Sequence, residues 1–433
     1  MPMNQNLSGN QLRAGMVGVG MIFEETYWPF FRQVHRQPLF SRATGPVDVD
    51  LAAVASRTGT RARAYVEQAQ AESMPTIQNL VGPDAIRHLV ESDVHAVCIA
   101  TPDDRHFEPA RQALLARKHV LLEKPSVLTL SQLDELNALA QKNDVLCRVV
   151  YHKLADPDHK KLRTHVQQHV LRHVNNGYCS LLEPKSISGS QFAEWIIGRN
   201  PGTYVAVHYI KLIDFTFGGV DPWSLVRVTA TGQRGLVGPA LGPTWDSVQL
   251  QMVYRYADGR EAAFDIHTSW VTPDNFPGYV EQEVQFRFDN GVWAAHQRKR
   301  GVELTVEERS PHEFKYTPNH HYNGKFIEPW NEPSQRGYGI EIIARFFEEV
   351  GHVEFGGPAS TRSDRLQAMR QLAYSDASSD RNTVATVQAM EQLLASHAAG
   401  HPAGVVQVND SAGGLALYLP GRSEPEILYS GRV

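Results

Sequence analysis

Between Val94 and Pro125 the chain reads VHAVCIATPDDRHFEPARQALLARKHVLLEKP, and few architectures accommodate such a stretch. Two short apolar runs, Val94–Ala100 and Val120–Leu122, flank a helical pattern from Phe107 to Arg117. Within it Ala110, Ala113, Leu114 and Arg117 recur at three- and four-residue spacing, which places them on one face. Two strands joined by so short a helical crossover form a βαβ unit and run parallel. Both end in polar, proline-bearing segments, Thr101-Pro102-Asp103-Asp104 and Glu123-Lys124-Pro125. Ligands of an open parallel sheet bind outside the carboxyl ends of its strands, so chemistry is expected at these two loops.

The alternation continues on both sides. Strand-like Val49–Ala55 and Val145–Val150 join the two runs above, and helical patterns cover 59–72, 83–91 and 130–143. Ahead of them Arg13–Gly20, RAGMVGVG, is a short apolar strand running into Gly18-x-Gly20. With Met21 and Ile22 next in line, this turn is the expected cradle for a dinucleotide pyrophosphate at a helix N-terminus. Phe23 stands where the fingerprint has its third glycine. The segment Arg36–Asp48, rich in Pro, Gly and polar residues, is expected to be a surface insertion. It carries the ribose-binding position well beyond the usual ~20 residues from the glycine turn. The second strand ends Ala55-Ser56-Arg57, with Arg61 one turn later. No acidic residue is present there to bind the ribose 2′-hydroxyl of NAD. A hydroxyl with two arginines suits a 2′-phosphate, because guanidinium matches phosphate geometry and charge, so NADP is favoured over NAD.

With 433 residues, 42% of them hydrophobic, the chain is long enough for two domains. A net charge of −5 without long charged blocks gives no reason to expect nucleic acid. The opening MPMNQNLSGNQLRAG has no apolar core of the secretory kind, and no run of about 18 apolar residues argues for a membrane span. Cys98, Cys147 and Cys179 are an odd number at irregular spacing, the first two in apolar strands. Free buried thiols in a reducing, cytoplasmic compartment are expected.

Gly18-x-Gly20, Thr101-Pro102 followed by His106, and Lys118-His119-Val120 running into Glu123-Lys124-Pro125 together resemble the glucose–fructose oxidoreductase/inositol dehydrogenase (Gfo/Idh/MocA) family. The resemblance implies an α/β then α+β chain. Residues 1–150 would be an N-terminal Rossmann dinucleotide-binding domain, and 151–433 a C-terminal mixed α/β domain with a large, mostly antiparallel open sheet that commonly mediates oligomers. It implies that Thr101, Pro102, His106, Glu123 and Lys124 join the cofactor site, with Lys124 beside both the nicotinamide and the substrate hydroxyl. An ammonium there can hydrogen-bond an alcohol oxygen and stabilise negative charge developing on it.

Beyond Val150 the pattern changes. Tyr151-His152-Lys153 leads into an expected helix over 157–174, on which His165, His169 and His173 share a stripe. The zincin pattern needs Glu directly after the first histidine, and Val166 is there, so a solvated face rather than a metal site is expected. Tyr178–Ser190 is strand-like and is followed by Phe192 and Trp195. Pro201–Gly219 resembles the family segment in which a catalytic histidine opens an apolar helix ending in Gly. Aligned through Gly218-Gly219, His208 takes that place, able to accept the alcohol proton near neutral pH. The acidic residue often found four positions earlier is Tyr204 here, and the Asp often three positions later is Lys211. Lys211 could favour the neutral imidazole, bind an acidic substrate group, or serve structure alone.

From Leu225 to Val306 alternating runs separated by Tyr256-Ala257-Asp258-Gly259 and Asp289-Asn290-Gly291 predict an antiparallel sheet with one packed face. The loop Thr317–Gly339 offers His320, His321, Tyr322 and Trp330 either to a sugar site or to an interface. Helices are expected over Ile340–Val350 and Asn382–His397, and strand-like pieces fall in the tail Val405–Val433. The family likeness implies an NAD(P)-dependent oxidoreductase acting on a sugar, polyol or sugar derivative, homo-oligomeric, with no membrane or nucleic-acid partner. Two alternatives within that fold are an NAD-dependent glycosidase working by transient oxidation and a catalytically silent sugar sensor.

Overall fold

In the computed structural model the first sheet contains β1 (Asn10–Val17), β2 (Leu39–Ser41), β3 (Gly45–Ser56), β4 (Gln78–Val81), β5 (Ala96–Ile99), β6 (His119–Glu123) and β7 (Cys147–Val150). The structure describes residues 9–186, 196–274, 280–296, 319–372, 374–409 and 413–431. Parallel pairing runs β4-β3-β1-β5-β6-β7, while β2 adds antiparallel to the outer edge of β3. That order reverses direction between β1 and β5, the switch point at which doubly wound sheets bind nucleotides. Every residue of β5, β6 and β7 is buried, as strands covered on both faces must be. Crossover helices Thr60–Ala71, Ala85–Glu91, Phe107–Leu115 and Leu130–Lys142 lie where the sequence pattern puts them.

The expected surface insertion Arg36–Asp48 contains a hairpin. Leu39 pairs Val47 and Ser41 pairs Gly45, with Gly45 at φ +66° closing the turn. Sequence reading also gives no hint of β4, which at four residues is short and only partly buried.

A larger difference concerns where the first unit ends. The compact unit comprises Met1–Val127, Gln132–Ala155 and His321–Asp380, not residues 1–150 alone. The helix Tyr338–Phe355 and the polar helix Arg362–Gln371 return to it late in the chain. Phe347 stacks on Phe30 at 5.1 Å. Arg148 of β7, wholly buried, donates to Glu349 (2.9 Å), Asp376 (3.1 Å) and the Met369 carbonyl (2.5 Å). Local periodicity shows that a helix has an apolar face but not which sheet it covers, so the return is not legible in the sequence.

The second unit comprises Leu128–Ser131, Asp156–His320 and Arg381–Val433. Its sheet contains β8 (Val174–Pro184), β9 (Trp223–Gln233), β10 (Ser247–Tyr256), β11 (Glu261–Thr272), β12 (Glu281–Phe288), β13 (Gly291–His296), β14 (Val405–Asn409), β15 (Gly414–Tyr418) and β16 (Glu426–Tyr429). The order is β13-β12-β8-β11-β10-β9-β14-β15-β16, antiparallel throughout except between β8 and β11. The tail thus extends this sheet. Along β10, buried Val248, Leu250 and Met252 alternate with half-exposed Ser247, Gln249 and Gln251, giving one packed face. The expected helix 157–174 stops at Gln167. His169 and His173 follow it with positive φ (55° and 39°), so the three histidines share no helical stripe. Phe192, Trp195 and the start of the loop at Thr317 lie outside the described residues.

Candidate active site

The glycine turn sits at the switch point. Gly18, at φ +90°, packs so close to the end of β5 that an added Cβ would lie 2.5 Å from the Ala100 carbonyl oxygen. Only glycine satisfies both the positive φ and that approach. At Gly20 an added Cβ would meet nothing within 4 Å, which leaves the backbone there open to a ligand. Helical structure begins at Met21 and Ile22, and residues Phe23–Tyr27 form a π turn. Phe23, in place of the third glycine, is fully buried edge-on against Tyr65 (4.8 Å). A large side chain here is accommodated by the widened π turn, where the usual pattern has a glycine for close helix–strand packing.

Two loops follow β5 and β6, and a buried imidazole joins them. His106 is 1% exposed, with Nδ1 2.7 Å from the Pro125 carbonyl and Nε2 2.8 Å from the Thr101 carbonyl. Burial holds its pKa below the ordinary 6.5 against those two carbonyl contacts, which favour the charged ring. In its neutral form the ring donates to one carbonyl at a time. The Lys124–Pro125 peptide is cis, and Lys124 is half-exposed. Next to it Ser126 donates to the buried carboxylate of Asp380 (2.5 Å), which also accepts from the Tyr151 hydroxyl (2.7 Å). Glu123, expected at the cofactor, points its carboxylate inward and accepts from the Tyr27 hydroxyl at 3.0 Å. Burial pushes its pKa up to about 7, although Lys124 and the Tyr27 hydrogen bond oppose the rise. His152 lies with Nε2 4.0 Å from the same carboxylate oxygen and is driven down to about 3 by burial, then by Lys124 and Lys153.

At the end of β3 the Ser56 hydroxyl accepts from the Gly59 N–H (3.1 Å), shaping the turn into the next helix. Arg57 and Arg61 are exposed and form no ion pair among the described residues. Two uncommitted guanidiniums beside a half-buried hydroxyl are available to an anionic group.

In the second unit Pro201–Gly218 is one continuous helical run, with π turns over Gly202–Ala206 and Asp214–Gly218 flanking α-helical Val207–Ile213. His208 is therefore inside the run rather than at its start, a correction to the expectation. At the N-terminal end the Thr203 N–H donates to Asn200 Oδ1 (2.7 Å), and Asn200 Nδ2 donates to Glu391 (2.8 Å). At the other end Asp214 accepts from Trp223 Nε1 (3.1 Å) and Asn382 Nδ2 (2.8 Å). Tyr204, His208 and Lys211 are spaced by four and three, hence on one side of the run. Tyr204 and His208 are half-buried, while Lys211 is 1% exposed. The Tyr204 ring lies 6.3 Å from that of Trp270, whose indole N–H is held by Glu183 (2.9 Å). Lys124 and His208 belong to different compact units.

Residues 12–151 match the Gfo/Idh/MocA family model, described as an oxidoreductase family with an NAD-binding Rossmann fold. Over this nucleotide-binding stretch the chain is similar to that family. YdgJ, an uncharacterized oxidoreductase of Escherichia coli, is 29% identical over 166 residues, 38% of this chain and 41% of the relative. A dTDP-3,4-didehydro-2,6-dideoxy-alpha-D-glucose 3-reductase of Actinomadura kijaniata is 26% identical over 305 residues, 68% of this chain and 86% of the relative. The chain spans less than half the length of the first two curated relatives it matches, 41% and 47%. A scyllo-inositol dehydrogenase from Lactobacillus casei, solved with NAD(H) and scyllo-inositol, superposes with a TM-score of 0.59. At 14% identity over 92% of this chain and 99% of that one, the likeness concerns the fold.

Against the Gfo/Idh/MocA pattern, Gly18, Gly20, Thr101, Pro102 and Lys124 occupy the loops at the carboxyl ends of β1, β5 and β6. Sequence reading does not find Tyr27, Tyr151, His152 and Asp380 as neighbours of the Glu-Lys-Pro loop. For Tyr151 and His152 a signal exists, since both follow directly on β7. Asp380 comes from a segment more than two hundred residues away, and nothing local marks it.

Proposed function

We propose that this protein is an NAD(P)-dependent oxidoreductase that transfers hydride between a nicotinamide cofactor and a hydroxyl of a sugar, polyol or sugar derivative. The observation that carries the reading is the His106 bridge at the switch point. It ties the Lys124 loop to the loop facing the glycine turn. When bound, the cofactor supplies the redox step. Gly18, Gly20, Met21 and Ile22 would hold its pyrophosphate, and Thr101, Pro102 and the Lys124 loop its nicotinamide end. Ser56, Arg57 and Arg61 would hold a 2′-phosphate, which makes NADP the favoured form. Lys124 polarises the reacting hydroxyl and His208 exchanges its proton, with Tyr204 and Lys211 lining the substrate side. Homo-oligomers through the open face of the second sheet, in a cytoplasmic compartment suited to three free thiols, complete the proposal.

Absorbance at 340 nm with NADPH or NADP and a panel of sugars and polyols tests it. Net cofactor turnover is expected. Glycoside hydrolysis without net turnover, or ligand binding without either, would replace the reading.

A further inference from the structure

Three buried side chains meet beside the Lys124 loop. Strands β6 and β7 pair in parallel to their last residues, Glu123 opposite Val150, so Lys124 and Tyr151 leave the sheet side by side. Ser126, Tyr151 and Asp380 are each 0% exposed. The Asp380 carboxylate accepts from the Ser126 hydroxyl at 2.5 Å on Oδ2. It accepts from the Tyr151 hydroxyl at 2.7 Å on Oδ1 and 2.9 Å on Oδ2. One residue nearer Lys124, the Pro125 carbonyl lies 2.7 Å from His106 Nδ1. The two residues after Lys124 are thus held separately, one by its carbonyl and the other by its side chain, while Lys124 itself is half-exposed. Burying a carboxylate completely is costly, and apolar residues of similar volume often fill such a site at lower cost. The β6–β7 pairing runs to its end without Asp380, so the sheet does not call for it. What the carboxylate adds is direction: satisfied buried hydrogen bonds specify one course for the chain as it leaves β6.

We propose that Asp380 is a positioning residue for Lys124: by holding the Ser126 and Tyr151 hydroxyls it fixes the backbone of Lys124–Ser126, and with it the place from which the ammonium reaches the substrate hydroxyl. This rests on the catalytic reading of Lys124 given above. Asp380 acts on the reaction only through that lysine, so its contribution disappears when the lysine does.

The test uses the full chain and a double-mutant cycle with Lys124→Ala. Ser126→Ala, and Asp380→Asn, which keeps size but loses one acceptor oxygen, should each lower kcat about 10–100-fold with the KM for NADPH unchanged, as misplacing a catalytic group by about 1 Å does. In a Lys124→Ala background the same changes should cost less than about twofold. Tyr151→Phe leaves Ser126 bound and should fall between wild type and Ser126→Ala; these two variants serve should Asp380→Asn fail to fold. Losses that multiply undiminished on top of Lys124→Ala would mean a merely structural carboxylate and would overturn the proposal. An unchanged kcat in Ser126→Ala would overturn it too. Hydrogen exchange followed by mass spectrometry, without substrate, gives an independent readout. Exchange over Lys124–Val127 should quicken in Ser126→Ala while β1 and β5 stay protected, and equal rates in the two proteins would refute the clamp. If wild type turns over no sugar or polyol, the catalytic reading of Lys124 fails, while the exchange rates still decide whether Asp380 holds the loop.

Discussion

The loop after β6 and the helical run Pro201–Gly218 carry the two residues proposed to handle the substrate hydroxyl, and they are built in opposite ways. The loop has almost no local structure of its own. Its shape comes from long-range buried bonds: His106 to the Pro125 carbonyl, Ser126 to Asp380, and Glu123 to Tyr27. The helical run is α-helical in its middle, Val207–Ile213, and its ends are held by Asn200 and Asp214. A loop held at so many points tolerates few residues, so a short motif survives in it. A helix can exchange one functional side chain for another at constant spacing, as Tyr204 and Lys211 do where acidic residues are usual. The π turns at both ends of the run, of a kind often found at functional sites, are where its backbone departs from regularity.

That contrast makes Lys124 the firmer assignment and His208 the more exposed one. Lys124→Ala should lower kcat by about 10²–10³-fold, as loss of one donor to a developing oxyanion does, with NADP affinity nearly unchanged. His208→Ala should lose roughly 10²–10⁴-fold and also the imidazole limb of the pH–rate profile. An unaltered profile in His208→Ala would move proton transfer to Lys211 or Tyr204. Comparing kcat in Lys211→Met and Tyr204→Phe would then decide between those two.

Legibility in the sequence follows the same division. The parallel strands of the first sheet, its crossover helices and the glycine turn are readable because each leaves a local pattern, an apolar run, a helical period or a Gly-x-Gly. The hairpins of the second sheet are readable for the same reason, through Asp258-Gly259 and Asn290-Gly291. Strand β4 is not, since an edge strand four residues long leaves no periodicity to detect. Nor is the return of His321–Asp380 to the first unit. The anchors that return supplies, Glu349 and Asp376 to Arg148 and Asp380 to Ser126 and Tyr151, are buried polar pairings between distant segments. A single sequence marks such a residue only as one more carboxylate.

A smaller effect is expected at the ribose end, where the reading rests on residue type with no anchoring bond. Arg57→Asp removes a guanidinium and adds a charge that repels a 2′-phosphate. NADP affinity should fall about 10–100-fold, roughly 1.4–2.7 kcal/mol, while NAD binds as before or better. Dissociation constants by fluorescence titration measure both. Equal weakening of the two cofactors would mean that Arg57 shapes the turn and does not read the phosphate.

The smallest effect concerns a distant anchor of the first unit and reads stability rather than catalysis. His119, at the start of β6, is buried and accepts the Leu146 N–H at Nδ1 (3.0 Å), so its proton is on Nε2, facing Glu354 at 2.9 Å. Protonating the ring would set an N–H against the Leu146 N–H, which agrees with burial holding the His119 pKa below 6.5. Burial alone would raise the Glu354 pKa, but hydrogen bonds from His119 and Arg362 outweigh it and bring it down to about 2. A carboxyl depressed in the folded state contributes stability that is present above its unfolded value, near 4.5, and is lost as pH falls toward 2. His119, also depressed, adds a loss that begins below 6.5, because the unfolded chain takes up that proton first. Glu354→Gln should therefore cost about 1–2 kcal/mol at pH 7, a figure reduced for screening because the carboxylate remains 24% exposed. The difference from wild type should shrink as pH falls from 4.5 toward 2. Urea unfolding at pH 7, 5 and 3 measures it. A difference that stayed constant over that range would mean that Glu354 acts by packing, and that the charge network along β6 does not couple the first unit's stability to pH.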